Sequence, residues 1–487
     1  MQASDSRCNA RTEFVPIRSR SIRSWSYKLT ATWANRLARF LADAFVSTPE
    51  DVLDRAALQL LDAVACAAGA HDARPIEIMR QTVAGSGPPV ATLLFARAKA
   101  TVDDAVLVNG TSVRYLDAND IFLGTRPGGH PSDNIPVALA VGEQSGASGR
   151  DVLAAIAVGY ELVERLRTVI FRQLPDGHLW HEISISGIVA AAMTALLNGA
   201  DHDRLSAAIA IGTSKGYALR EIRRGDISML KAAGNAMVAR EGVLAARLAL
   251  NGMTGPMKIF EGKTGLVATL GGDPSEQMVS DLCAPPEWGI RNISIKPFPS
   301  LGTSQAAISA AVGLVADHGR MQPDEVSTVD IFLPDSSWTR DYVGLGERLT
   351  PATRETADHS IQFLVALALR EGDVTQVHYE TEQWRDEGIL ALMGRTTITP
   401  SAELAKVATT AFPAILEVTL RDGRTFRREV VATPGSPGDP WGRDQILGKF
   451  ARLDRSGSSQ EVRQDIADAV IGLKSAPDLT EMARTVA

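Results

Sequence analysis

Apolar positions recur with a helical period along most of the first 286 residues. In STPEDVLDRAALQLLDAV, Val52, Ala56 and Leu60 fall on one face, with Leu53, Ala57, Leu61 and Val64 beside it. That is the spacing of a helix with a core-facing stripe. Thr48 is placed to cap this helix, Pro49 takes a first-turn position, and Glu50 and Asp51 suit its positive end. Stretches such as SGIVAAAMTALLNGAD, RLSAAIAIGTSKG and GNAMVAREGVLAARLALNGM are rich in Ala and apolar nearly all round, which predicts helices buried inside a bundle.

The texture changes near residue 287. NISIKPFP and VSTVDIFLP read as strands, SQAAISAAVGLVADHG and HSIQFLVALALREG as helices, and ILEVTLRDGRTFRREVV alternates on either side of Asp422-Gly423, a hairpin signal. After PGSPGDPW the pattern returns to helix in RDQILGKFARL and SSQEVRQDIADAVIGL. The expected class is mainly α. A helical domain is formed by residues 28–286 and 437–487, and an α+β domain by 287–436, because the short C-terminal segment makes a poor core by itself. Residues 1–27, rich in Arg and Ser, read as a tail outside both.

Composition narrows the function classes. The 487 residues are 45% hydrophobic and 22% charged with a net charge of −7, an ordinary globular balance that argues against general nucleic-acid binding. No apolar run has the length of a membrane span. Cys8, Cys66 and Cys283 form no CxxC pair, so neither a disulfide framework nor a metal knuckle is expected, and a reducing, cytoplasmic setting fits. Several short motifs are false friends. GTSKG mimics a nucleophile elbow but follows an Ala-rich helix rather than a strand. EGKTG lacks the upstream glycine of a phosphate loop. HLWH has no accompanying zinc ligands.

Four polar interruptions in the apolar helical sequence are the candidate chemistry. RYLDANDIFLGTRPGGHPSDNIP places Asp117, Asp120 and His130 in a Gly/Pro-rich loop, with Ser132 available to cap the following helix. DGHLWHEISISG puts His181 just before an apolar helix. REIRRGDISMLKAAGNA sets Lys231 at the mouth of a Gly/Ala-rich helix. NISIKPFPSLGTSQAA brings Lys296 to the junction near residue 287. Taken singly, each has an ordinary structural explanation as a cap, a turn or a solvated charge.

Together these segments resemble the 2-methylcitrate dehydratase (MmgE/PrpD) family, which also includes cis-aconitate decarboxylases. RYLDANDIFLGTRPGGHPSDNIP is similar to that family's LD-x-ND-T…HPSDN signature, and WHEISISGIVAAA to its H-x-x-S-x-x-G segment. GDISMLKAAGNAMVAREGVLAARLALNGMTGPMKIFEGKTG, IKPFP and PATRETADHSIQFLVALALREG follow in the family's order. The resemblance implies a large helical domain built from both termini and a smaller α+β lid, with the active site in the cleft between them. It implies a homodimer without metal or organic cofactor, acting on a small anionic carboxylic acid. Carried over by position, the catalytic residues are Asp117, His130, His181, Lys231 and Lys296. The histidines suit proton transfer near neutrality, the lysines suit carboxylate binding, and Asp117 suits orientation or base chemistry. Asp120, Ile121, Ser132 and Thr303 are expected to touch substrate.

Two positions depart from the pattern. Ile121 stands where the family has Thr, and Thr303 about where many members carry a histidine. Losing two polar groups points to a less polar substrate or a different reaction. The expected activity is dehydration of 2-methylcitrate or a related acid. Decarboxylation or isomerisation of a less polar acid is the alternative, and a non-catalytic helical binding protein is the third reading.

Overall fold

The computed structural model describes residues 32–124, 127–171 and 180–487. The expected tail, Cys8 and His178 lie outside them. Helices dominate, as the 3.6-residue period predicts. The first, α1 (Trp33–Val46), is capped by the Thr32 hydroxyl, and α2 covers Glu50–Gly69. The expected cap at Thr48 is displaced. Pro49 is the N-cap residue of α2, and the Thr48 hydroxyl donates back to the Ala44 carbonyl at 2.9 Å. It thereby satisfies an orphan carbonyl at the end of α1. Next come α3 (Arg74–Val83), α4 (Val102–Tyr115), α5 (Ile135–Ser145), α6 (Gly149–Arg165), α7 (Ile185–Leu197), α8 (His202–Thr213) and α9 (Leu230–Leu250). Between α3 and α4 lies a two-stranded ribbon, β1 (Ala91–Leu93) and β2 (Ala98–Ala100), which the sequence pattern does not anticipate. GTSKG is a helix end, as expected, with Ser214 following the last turn of α8.

The Ala-rich composition of α7 and α9 has a packing reason. A Cβ on Gly242 would come within 2.3 Å of the Gly187 carbonyl oxygen. Only hydrogen at that position lets the two backbones approach so closely. Both helices are buried along most of their length.

Two apolar cores organise the chain. One draws on α1 to α9, continues through Ile290, Ile293 and Ile295, and resumes at Ile446, Phe450, Ile466 and Val470. The last four come from α12 (Arg443–Leu453) and α13 (Gln460–Gly472), both packed on α2. The other core runs from Phe298 to Leu420. Its helices α10 (Gln305–His318) and α11 (Ile361–Glu371) pack together, and α10 covers part of a four-stranded sheet. The sheet is ordered β4 (Thr396–Ser401), β3 (Val326–Pro334), β5 (Ala414–Leu420), β6 (Thr425–Val430). β3 and β4 are parallel and the other pairs antiparallel. The Asp422-Gly423 hairpin forms as predicted, with Gly423 at φ +90°. On β5, Ala414, Leu416, Val418 and Leu420 are buried and alternate with half-buried residues.

NISIKPFP differs from expectation. It forms a short bridge between Ser294 and Ile121 and a further main-chain bond, from the Ile295 N–H to the Gly435 carbonyl at 2.9 Å, and Pro297 and Pro299 have no N–H to extend a ladder. Through that bridge Ile121 and Leu123, which follow α4 in sequence, join the second core. The loop after α4 therefore lies where the two cores meet. Among the described residues, no helix is long and apolar enough to cross a membrane.

Candidate active site

At the end of α4 the chain turns sharply. Asp117 adopts φ +53°, a left-handed conformation that is strained for a residue with a side chain and needs surrounding contacts to hold it. Those contacts are cationic. Asp117 Oδ1 lies 2.9 Å from Arg114 Nη1 and also meets Lys296 Nζ, while Oδ2 lies 2.9 Å from Lys231 Nζ. All four side chains are fully buried. Burial pushes the Asp117 carboxyl up, but Arg114, Lys231 and Lys296 together hold it well below the usual carboxylate range. The ionised carboxylate is suited to orienting the cations around it.

Lys231 occupies the second position of α9 and joins Asp117 to a second carboxylate. Its ammonium donates to Asp358 Oδ1 at 2.7 Å and Oδ2 at 2.6 Å. Burial lowers its pKa, with Asp117 and Asp358 acting against the shift. Lys296 Nζ also donates to the Asp117 and Ser300 carbonyls, the latter at 3.2 Å. Burial brings it down to about 8.

The structure adds an imidazole that the sequence reading passed over. His359 Nδ1 is hydrogen-bonded to Asp358 Oδ1, and its Nε2 stands 3.5 Å from Asp117 Oδ2. Burial raises the Asp358 carboxyl, but Lys231 and His359 outweigh that and bring it to about 2. The ionised carboxylate therefore accepts from Nδ1–H, which leaves the Nε2 lone pair of His359 as the basic position. Burial, aided by Lys231, lowers the imidazole to about 3, so the resting ring is neutral. Once protonated it would stand between two carboxylates. Asp117, Asp358 and His359 offer three ligand atoms within 4.8 Å of one another, as a metal site would. Lys231 Nζ already lies 2.9 Å from Asp117 Oδ2, 2.6 Å from Asp358 Oδ2 and 3.2 Å from His359 Nδ1. A divalent ion would have to displace that ammonium.

His130 lies just before the turn that leads into α5. Its Nδ1 faces the Asp120 carbonyl at 2.5 Å and its Nε2 faces Arg114 Nη2 at 3.2 Å. A carbonyl accepts and a guanidinium donates, so the ring is the neutral Nδ1–H tautomer. Burial, with Arg114 and Lys296 nearby, keeps its pKa well below the ordinary value. His181 caps the short turn before α7, its Nδ1 accepting from the Ile183 N–H at 3.2 Å. Its neutral ring therefore carries the proton on Nε2.

A cavity of about 700 Å³ collects Arg114, Asp117, Ile121, His130, His181, Thr303 and His359 on its wall. Lys231 and Lys296 lie immediately behind, through their bonds to Asp117. One expectation is corrected. Ser132 caps no helix: it sits inside a short turn (Pro131–Asn134), and its hydroxyl donates to Asp120 Oδ1 at 2.6 Å. Asp120 and Ser132 are buried and absent from the wall. They hold one another and, through Asn119, the loop itself, since Asn119 Nδ2 donates to Ser132 Oγ at 2.9 Å. Thr303 is buried at the wall with no partner for its hydroxyl oxygen among the described residues.

Two arginines on the wall also escaped the sequence reading. Arg223 and Arg348 each keep one buried Nη1 group without a hydrogen-bond partner among the described residues. Burial lowers Arg223 to about 10. Arg220 and Arg224, by contrast, are both held by Asp341, at 3.1 and 2.8 Å. The signals were present in sequence as REIRR and GERLT, but neither shows which charges would remain unneutralised.

Two domain models together match most of the chain: the MmgE/PrpD N-terminal domain over residues 35–278 and the MmgE/PrpD C-terminal domain over residues 298–473. The chain belongs to the MmgE/PrpD family. Relatives within it carry different chemistry. The cis-aconitate decarboxylase-like protein oryM of Aspergillus oryzae is 25% identical over 455 residues, covering 89% of this chain and 92% of that protein. The cis-aconitate decarboxylase of Aspergillus terreus is 22% identical, covering 92% and 93%. The 2-methylcitrate dehydratase of Cupriavidus necator is 27% identical over 346 residues, covering 67% and 69%. Family membership thus brings both lyase reactions into view without choosing between them.

Proposed function

We propose that this MmgE/PrpD protein is a lyase that dehydrates a small polycarboxylic acid of the 2-methylcitrate type, using its own side chains for acid–base chemistry. The observation that carries this reading is the pair of unneutralised guanidinium groups, Arg223 and Arg348, on the same cavity wall as the Asp358–His359 pair. A buried N–H donor without a partner is costly, and a substrate carboxylate would satisfy it by a charge-assisted bond.

In this reading, Arg223 and Arg348 hold substrate carboxylates. His359 Nε2 removes the proton next to a carboxylate, and the imidazolium so formed is stabilised by Asp358 and Asp117. This is the logic of a base oriented by an acid partner. Charge developing on the enolate-like carboxylate meets the field of Arg114 and of the two buried lysines. His181 Nε2–H donates a hydrogen bond to the departing hydroxyl, which takes up the proton carried by the His359 imidazolium and leaves as water as the carbon–carbon double bond forms. His130 fixes Arg114 through its Nε2 and the loop through its Nδ1–H, a positioning role.

Decarboxylation is the second reading, and Ile121 favours it. A hydrocarbon at this wall position offers no bond to a substrate hydroxyl. The test is proton NMR of the purified protein with 2-methylcitrate, citrate and cis-aconitate, beside His359→Gln and His130→Ala. An alkene product from 2-methylcitrate, lost in His359→Gln, is the expected result. Itaconate from cis-aconitate, with the citrates untouched, would replace dehydration by decarboxylation. No turnover of any of them by folded protein would refute the lyase reading.

A further inference from the structure

Asp358 orients His359, and its own orientation needs a cause. The terminal torsion of an aspartate is broad, so the plane of its carboxylate is set by the donors around it. Lys231 reaches both Asp358 oxygens, but an ammonium is a point charge with rotatable donors and fixes no plane. A planar donor is supplied by Arg354, whose Nη1 donates to Asp358 Oδ2 at 3.3 Å. The same Nη1 donates to the Tyr115 carbonyl, also at 3.3 Å.

Arg354 is itself held from both cores. Its guanidinium carbon lies 4.2 Å from the ring centroid of Tyr115 and 5.1 Å from that of Tyr379. Tyr115 closes α4, two residues before Asp117, and packs on the first core, whereas Tyr379 belongs to the second. The Tyr379 ring is fixed in turn, since its hydroxyl donates to the Pro299 carbonyl at 2.8 Å. A guanidinium over two aromatic faces gains cation–π attraction and loses its freedom to rotate. The turn that begins at Arg354 is also tied to the loop before α9. The Thr353 hydroxyl donates to the Ile227 carbonyl at 2.9 Å, and the Ile227 N–H donates to the Thr356 hydroxyl at 3.0 Å. Arg354, Tyr115 and Tyr379 all stand behind the cavity wall rather than on it.

We infer that Arg354 is a positioning residue that clamps the end of α4 onto Asp358, sets the plane of that carboxylate, and through it aims His359 Nε2 at the cavity. The inference rests on the reading of His359 as the base. Tilting the carboxylate swings the imidazole bonded to it, and a misplacement of about 1 Å at the reacting groups costs about 10²-fold in rate.

The test compares the wild type with Arg354→Lys and Arg354→Met by two readouts. One is proton NMR of the free protein, following the downfield Nδ1–H of His359, assigned by its absence from His359→Gln. The other is steady-state kinetics with whichever acid the wild type consumes. Lysine keeps the charge without the planar fork, so both variants should lose the resonance. In both, kcat should fall by about 10²-fold with KM unchanged, because Arg354 touches no substrate. If Arg354→Met does not fold, the lysine variant decides. A wild type without the resonance, or an Arg354→Lys that keeps either the resonance or the kcat of the wild type, overturns the inference. So does a raised KM, which would place Arg354 in substrate binding. A wild type that consumes none of the acids, while Arg354→Lys still loses the resonance, overturns the lyase reading and leaves the clamp on His359 standing.

Discussion

Lys449 comes from α12, near the C-terminal end of the chain, yet its ammonium is buried beneath the site. It donates to Asp62 Oδ1 of α2 at 2.5 Å and to the Ala118 carbonyl at 2.7 Å. Ala118 follows Asp117, whose backbone is strained. The other Asp62 oxygen has no partner among the described residues. Lys449→Met keeps the length and hydrocarbon of the side chain while leaving Asp62 buried without the ammonium that contacts it. Removing one member of a buried pair costs about 3–5 kcal/mol. A folded chain of this length carries an unfolding entropy of about 1 kcal/mol/K, so the melting temperature should fall by about 3–5 °C. The penalty should also grow with pH. Burial already pushes the Asp62 carboxyl above 3.8, with Lys449 the main group acting against it. Without Lys449 the folded-state pKa rises further above the unfolded value. The stability this group gives in acid is then lost as pH rises through the folded pKa. Calorimetry of the wild type, Lys449→Met and Asp62→Leu/Lys449→Met at about pH 5 and pH 8 tests this. The double variant should recover most of the lost stability, since both charges are gone. Its kcat should stay low, because the Ala118 carbonyl has lost the donor that steadies the Asp117 turn. A single variant as stable as wild type at both pH values, or a double variant no more stable than the single, would refute the reasoning.

Three further outcomes are expected. Arg223→Gln and Arg348→Gln should each raise KM at least about tenfold with a smaller change in kcat, as loss of a hydrogen bond to a charged group implies; steady-state kinetics decides it, and an unchanged KM removes that arginine from carboxylate binding. Burial raises Asp120 to about 6 from 3.8, so its contribution to stability is present in acid and is lost as pH rises through about 6; Asp120→Asn should therefore melt above wild type at about pH 8 and alongside it at about pH 4. Leu230, Met237 and Leu244 recur every seven residues on one face of α9 and stay 45–49% exposed, with Arg240 and Glu241 midway between the last two; antiparallel pairing with a second copy would set each arginine against the other copy's glutamate, so sedimentation should find a homodimer that Met237→Glu converts to monomer.

Local sequence carried much of the fold because helical period, hairpin turn residues and capping chemistry act within a few neighbours. The bundle helices, the Asp422-Gly423 hairpin and the helix end at GTSKG are all of that kind. The same logic misplaced Thr48 and Ser132, since a short hydroxyl has several backbone and side-chain partners in reach and packing selects among them. It also read NISIKPFP as a strand, where two prolines have no N–H to extend a ladder.

The residue types of the site were legible as polar interruptions in apolar helices, and Asp117, Lys231 and Lys296 do meet in one ion cluster. Sequence could not show that Asp358 completes that cluster, nor that His359 presents its Nε2 to the cavity. Nor could it show that Arg223 and Arg348 each keep a donor without a partner among the described residues while Arg220 and Arg224 share the carboxylate of Asp341. Those distinctions depend on contacts between residues more than a hundred positions apart. The sequence by itself determined which segments are helical and to which family the chain belongs. Only the tertiary structure decided which charges are cancelled and which are left facing the cavity, because burial and charge pairing are properties of neighbours in space rather than neighbours along the chain.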